Sequence, residues 1–474
     1  MWTRREFQAG VAAAGLGAFA SGCATVGSTG TPVGGFSLDD LERRTFQWFW
    51  DTANPVNGLV PDRWPTKSFS SIAAVGFGLT AYPIGVERGW VSRGDARART
   101  LTTLRFFAGL PQGPQAAGVA GHKGFFYHFL DMDTGHRFKT TELSSIDTVL
   151  FLGGALFAAQ YFDGADREEA EIRRLANQLN DAVDWRWMLG KGPFVSMGWK
   201  PEDDFIASQW DQYNEATLLY VLALGSRTHA ISPDIWTRYT AQFDKSWGDK
   251  WGERHLFFPP HFGHQYSHVW VDFRGIRDPW LRSTGLDLFE NSRRATRAQR
   301  NYAIANPKRW AGYDGEVWGL TACDGPGDFK LTIDGTEREF FSYSARGPDD
   351  RDDGTIAPTA MAASIAFEPE LVRAGLAAMQ RRYGPAIYGQ YGFLDSFNPT
   401  LRDPAQVPTL LHGRVIAGTC WVDGDYLGID QGPIIAMIAN ERDSFVWERM
   451  KRCRPIVDGL KRAGFAGGWL DRAA

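Results

Sequence analysis

Helical stretches that are apolar on every side alternate along this chain with stretches charged along one face. Ile72 to Leu79, Val149 to Ala159, Leu218 to Leu224, Ala360 to Phe367 and Ile434 to Ala439 are apolar nearly all round. Arg167-Glu168-Glu169-Ala170-Glu171-Ile172-Arg173-Arg174-Leu175 and Trp447-Glu448-Arg449-Met450-Lys451-Arg452 are not. A helix apolar on all sides must be covered on all sides, whereas a charged stripe faces water. Pairing the two kinds predicts inner helices starting near residues 69, 143, 212, 262, 356 and 430, each followed by an outer one. A further helix over 38–53 precedes them, with Ser37 as its N-cap and Asp40 three residues on. This is the arithmetic of an all-α fold, an (α/α)6 toroid of six inner and six outer helices. The weakest inner position is 262–273, whose pattern also fits a loop or a strand. Strand signals are few: Phe125 to Asp131, and Lys330 to Ile333 with Glu339 to Tyr343 around the turn Ile333-Asp334-Gly335-Thr336, predict short hairpins near the cleft.

The first residues carry an address rather than a fold. Thr3-Arg4-Arg5-Glu6-Phe7 matches a twin-arginine export signal, and Gln8 to Ala20 is its apolar stretch. Ala20-Ser21-Gly22-Cys23 resembles a lipobox, which would make Cys23 a lipid-bearing first residue. The expected organisation is an export signal over 1–23, a Gly/Thr/Ser-rich linker over 24–36 and a single catalytic domain over 37–474. The expected location is the periplasm, either soluble or tethered through that lipid. With 51 basic against 55 acidic residues and no basic stripe, nucleic acid is not an expected partner. Apart from Cys23, Cys323, Cys420 and Cys453 remain; an odd count without CxxC spacing argues against a metal cluster, and sequence alone cannot assign a disulfide among them.

Chemistry is signalled where the helical runs begin. Acids and His recur there beside Trp, Tyr and Phe, in a chain that is 14% aromatic. Rings stack on sugar faces and carboxylates carry protons, so the pattern fits a carbohydrate-processing cleft. Trp210-Asp211-Gln212-Tyr213-Asn214-Glu215 runs straight into Ala216-Thr217-Leu218-Leu219. On a helix Asp211 and Glu215 share a face, and burial beside the apolar run would suit Glu215 to be a general acid. Capping by Asp211 and pairing of Glu215 with an Arg is the structural alternative, and the neighbouring Trp210 and Tyr213 weigh against it. Glu142 and Asp147 open the preceding inner run, near residue 143, and either cap it or touch sugar hydroxyls. Asp395, in Tyr391-Gly392-Phe393-Leu394-Asp395, has no evident structural duty and is the better candidate base; Asp430 is also an N-cap candidate. Trp318 and Trp421 add rings beside further acids. His264, His268 and Asp272 have ligand-like spacing but lack the Glu of HExxH, so sugar binding by His264, Gln265, Tyr266, Asp272 and Arg274 is expected, with no metal and no cofactor.

At these residues the chain resembles the glycoamylase-like family, most closely glycoside hydrolase family 144, whose characterised members cleave β-1,2-glucan. The resemblance rests on Trp210 to Glu215, on His264-Gln265-Tyr266-Ser267-His268 through Arg274, on Tyr391 through Asp395, and on Gly428-Ile429-Asp430-Gln431-Gly432-Pro433. It implies an (α/α)6 toroid and anomer-inverting hydrolysis without a metal. Glu215 falls at the acid and Asp395 at the base, with Asp430 and Asp211 as alternative catalytic carboxylates; Glu142 and Asp147 fall in the substrate-binding stretch. An oligo- or polysaccharide is then the partner. Three other readings stay open: an α-glucan hydrolase, a polysaccharide lyase using Tyr266 or His264 as base, and a sugar-binding lipoprotein without catalysis.

Overall fold

The computed structural model describes residues 35–473. The export signal, Cys23 and the linker up to residue 34 lie outside the described residues. Helix α1 (Leu38–Thr52) starts at Ser37, whose side chain accepts from Asp40 N as the sequence predicts. Apolar and charged helices then alternate: α2 (Ile72–Glu87) and α3 (Arg93–Gly109), α4 (Ser145–Tyr161) and α5 (Arg167–Asp181), α6 (Thr217–Gly225) and α7 (Pro233–Thr240). They continue as α8 (Tyr266–Trp270) and α9 (Leu288–Ala305), α10 (Pro358–Ala362) and α11 (Pro369–Ile387), α12 (Gly428–Asp443) and α13 (Arg454–Arg462). Every residue of α6 and the whole run Ile72 to Gly85 are buried. Pro233 and Pro369 open their helices, where the missing N–H costs nothing.

The apolar helices pack on one another in a ring. Helix α2 packs on α4 and α12, α4 on α6, α6 on α8, α8 on α12, and α10 on α12. The charged helices lie outside it, with α3 against α2, α5 against α4, α11 against α10 and α13 against α6. Helices α2 and α4 approach closely where glycines meet: a Cβ on Gly154 would sit 1.9 Å from Gly76 O. Neither backbone can yield without opening the ring. Gly154→Ala is therefore expected to lower the unfolding free energy by about 1–3 kcal/mol, read as a lower urea midpoint.

One rim of this ring gathers the N-terminal ends of the apolar helices. Ile72 N donates to His128 O (3.3 Å), and His128 N to Glu142 O (2.9 Å), just before Ser144, the N-cap of α4. Trp210 Nε1 donates to Ser145 Oγ (2.9 Å). Ser267 Oγ donates to Glu215 O (2.8 Å) and accepts from Leu218 N (3.0 Å), joining α8 to α6. Gln265 Nε2 donates to Ala360 O (2.9 Å), and Thr359 Oγ1 to Asp430 O (3.1 Å). Gly428 N donates to Asp62 O (2.9 Å), and Asp62 N to Phe69 O (2.8 Å), which returns the circuit to α2. Short antiparallel pairs brace the same rim: Arg63–Trp64 with Tyr426–Leu427, Ser70–Ser71 with Phe129–Leu130, and Leu143–Ser144 with Gly198–Lys200.

Several predicted boundaries shift. The segment 212–216 is not helical, because Asn214 Oδ1 caps Ala216 N and turns the chain before α6 begins. The stretch 262–273 holds only a short turn, His261–His264, and α8. The run predicted over 443–464 breaks between Phe445–Met450 and α13, where Pro455 stands in the first turn. The hairpin Phe329–Ile333 with Thr336–Phe340 forms around Asp334-Gly335 as expected. Cys323, Cys420 and Cys453 are free and buried, so no disulfide joins them. Among the described residues no helix is long and apolar enough to cross a membrane.

Candidate active site

A cavity of about 460 Å³ opens on that rim, with Glu142, Asp147, Trp210 and Glu215 in its wall. Glu215 sits in the turn before α6, its main chain held by Ser267, and the residue is 6% exposed. The opposing acids are organised by a histidine. His128 Nδ1 is 2.7 Å from Glu142 Oε1, and its Nε2 is 3.5 Å from Asp147 Oδ2. Ser144 Oγ accepts from Asp147 N (3.1 Å) and donates to Asp147 Oδ2 (2.6 Å), a reciprocal cap at the start of α4. Glu142 is thus a partner of His128, and Ser144 does the capping. Lys200, Gln212, Asn214 and Phe262 also line the wall.

A second group of acids stands further along the rim. Asp395 Oδ2 accepts from Asp324 N (2.8 Å), and Asp395 N donates to Asp425 O (3.0 Å). Burial holds the Asp395 carboxyl well above the usual carboxylate range, and Asp430 and then Asp324 add to the rise. Carboxyls this close resist ionising together, which is why Asp430 adds to the rise at Asp395. Asp423 is also raised, by burial and then by Asp324 and Asp395. Arg63 is the cation in the midst of them, 2.5 Å from Asp324 Oδ2 and 3.3 Å from Asp62 Oδ2. Asp62 is raised by burial, against the pull of Arg63 and of His128, so it stands between the two groups. Asp430 is not an N-cap: Leu427 holds that position, and Asp430 lies in the first turn of α12 beside Asp395. Asp324, His412 and Asp423 bring ligand-type atoms within 4.8 Å of one another. A cation there would have to share the Asp324 carboxylate with the Arg63 guanidinium.

The remaining predicted residues are placed elsewhere. Asp211 is exposed and off the wall, since without a helix the i, i+4 relation to Glu215 is lost. Tyr213 is buried; its hydroxyl is 3.1 Å from His264 Nδ1 and accepts from Asn291 Nδ2 (3.1 Å). His264 Nε2 lies 3.2 Å from Phe258 O, and burial holds its pKa well below the ordinary value. Gln265 Nε2 donates to Ala360 O and Ser364 Oγ (2.8 Å), which ties the start of α8 to α10, and both His264 and Gln265 are engaged by internal partners. Tyr266 is buried among Phe77 and Phe262. His268 Nε2 is 3.0 Å from Ser292 Oγ, and burial pushes its pKa down to about 3. Asp272 follows the C-terminal end of α8, a helix length away from the rim, and pairs with Arg274 (2.7 Å) and Lys451 (3.0 Å). Trp318 and Trp421 are fully buried, Phe393 packs on Tyr388, and Tyr391 donates to Asp51 (3.3 Å).

His128, Asp62, Arg63, Asp324, Asp423 and Asp425 are absent from the sequence-derived site. Asp423 and Asp425 were visible between Trp421 and Tyr426, two acids around Gly424. His128 lies in a Phe-rich stretch that signals only a strand, and no local pattern marks Asp62, Arg63 or Asp324.

Residues 207–454 match the Glycoamylase family model ("Putative glucoamylase"). The chain belongs to the Glycoamylase family. That span includes Glu215, Asp395 and Asp430. The chain is also similar to an exo β-1,2-glucooligosaccharide sophorohydrolase acting at the non-reducing end, from Parabacteroides distasonis. The two are 25% identical over 458 residues, covering 90% of this chain and 57% of that relative. The endo-β-1,2-glucanase of Chitinophaga pinensis, solved with sophorotriose and glucose, superposes with a TM-score of 0.74 at 25% identity. The match covers 92% of this chain and all of that one. The crystal structure of a β-1,2-glucanase from Parabacteroides distasonis gives a TM-score of 0.73 at 25% identity, over 90% of this chain and 59% of that one. This Glycoamylase chain therefore spans a little over half the length of the Parabacteroides proteins it matches.

Proposed function

We propose that this chain is a glycoside hydrolase that cleaves β-1,2-glucan with inversion at the anomeric carbon. The observation that carries the reading is the shared rim: the Glu215 wall and the Asp395–Asp430 pair sit on one hydrogen-bonded circuit of helix N-termini. The printed activities of the relatives support the substrate class. Glu215 donates its proton to the glycosidic oxygen as the bond to the anomeric carbon breaks. Water attacks that carbon from the opposite face and gives its proton to Asp395, either directly or through a substrate hydroxyl. In inverting enzymes the two carboxyls stand roughly 6.5–9.5 Å apart to admit the water. Glu142, Asp147 and His128 offer hydroxyl partners on the wall, and Trp210 offers a ring. A lyase would need His264 or Tyr266 as its base, but His264 is engaged by Tyr213 and Phe258 O.

The ring of paired helices reads as an (α/α)6 toroid, and residues 37–474 as one catalytic domain. Export through the twin-arginine signal, lipidation at Cys23 and a periplasmic location belong to the same proposal; they rest on the sequence motif. Purified protein incubated separately with β-1,2-glucan and with starch tests the activity. Sophoro-oligosaccharides from the first and no new reducing ends from the second are expected. Cleavage of starch alone would move the substrate to α-glucan, and an ultraviolet-absorbing unsaturated product from a uronate-containing polysaccharide would make it a lyase.

A further inference from the structure

Trp64 is the one aromatic among the large apolar side chains exposed in the described residues, at 38%. Its position is fixed from both sides. Arg63 and Trp64 pair with Leu427 and Tyr426, Asp62 O accepts from Gly428 N (2.9 Å), and Thr66 N donates to Asp425 Oδ1 (2.8 Å). The segment is thus strapped across the acid group at each end. Successive side chains of a paired strand point to opposite faces. Arg63 turns inward to Asp324, which leaves the Trp64 ring on the outer lip, in water. An indole kept out of the core at a fixed point beside buried carboxylates and a guanidinium combines a flat apolar face with hydrogen-bonding groups. That combination matches a pyranose ring, apolar on its C–H face and polar at its rim.

We propose that Trp64 is a stacking platform for a glucosyl unit of the bound chain, lying outside the acid group and extending the binding surface beyond the enclosed cavity. The assignment rests on the glucan-hydrolase reading only for its occupant, a glucan strand; the ring's placement stands apart from it. The site is continuous with the candidate active site through Asp62, Arg63 and Asp425.

The test uses the full-length Glu215→Gln protein, which should bind without cleaving, with and without Trp64→Ala or Trp64→Phe. Calorimetry is run with β-1,2-, β-1,3-, β-1,4- and α-1,4-linked glucooligosaccharides of increasing length. Trp64→Ala is expected to bind the longer β-1,2 oligosaccharides about tenfold more weakly, as loss of one stacked ring would give, while the disaccharide is unchanged and Trp64→Phe keeps most of the affinity. Equal affinity of parent and Trp64→Ala for every length overturns the platform. Binding of another linkage alone, still weakened by Trp64→Ala, upholds the platform and overturns the β-1,2 reading. If no linkage binds the parent, both readings fall.

Discussion

Glu215→Gln is expected to lower kcat on β-1,2-glucan by about 10²–10⁴-fold with KM nearly unchanged, since a positioned general acid contributes that much. The amide keeps the shape and hydrogen-bonding capacity of the carboxyl but has no proton to give. The main chain at 215 is held by Ser267 and the neighbouring turn by Asn214, so the fold should survive the change. A readout that a merely structural role would not move is the leaving group. An aryl glycoside whose phenol departs without protonation should be cleaved by Glu215→Gln nearly as fast as by the parent. An equal loss on both substrates would mean that Glu215 shapes the wall rather than protonating the bond.

Asp395→Asn is expected to lose about 10²–10⁴-fold in kcat as well, and at the same time to become more stable at neutral pH. The sign follows from the raised carboxyl. In the unfolded chain Asp395 titrates near ~3.9, whereas burial and Asp430 hold it well above that in the fold. As pH rises above the unfolded value, the unfolded chain releases a proton that the fold retains, so stability falls with rising pH until the folded group also ionises. Asn removes this penalty. Urea unfolding should show the variant ahead of the parent at pH 7 and level with it below about pH 4, where both states of the parent are protonated. Asp430→Asn should slow the reaction less than Asp395→Asn. The reverse ranking would move the base to Asp430, and a variant no more stable than the parent at pH 7 would refute the strained pair.

Much of the ring was legible in the alternation of apolar and charged stretches, because burial on all sides leaves no other residue choice at positions such as Ile72 to Leu79 or Leu218 to Leu224. The wall carboxylates Glu142, Asp147 and Glu215 were legible because acids beside rings at a helix mouth have few structural uses. What misled was the same logic carried too far. Tyr213, His264, Gln265 and Trp421 are polar or aromatic near helix starts, yet buried polar atoms must be paired, and these pair with other buried side chains or with backbone, while Trp318 is simply buried. Asp272 and Arg274 lay in a motif whose first half is at the rim, but a helix separates the halves in space. The acid group around Arg63 was hidden for a different reason: Asp62, Asp324 and Asp395 come from segments far apart in the chain and meet only through the ring.

The most direct test of the account is proton NMR of the first turnovers on a linear β-1,2-glucooligosaccharide. The new reducing end should appear first as the α-anomer and then mutarotate, as proton donation by Glu215 with direct attack of water requires. Initial β-anomer would require a covalent intermediate and would contradict the paired roles of Glu215 and Asp395.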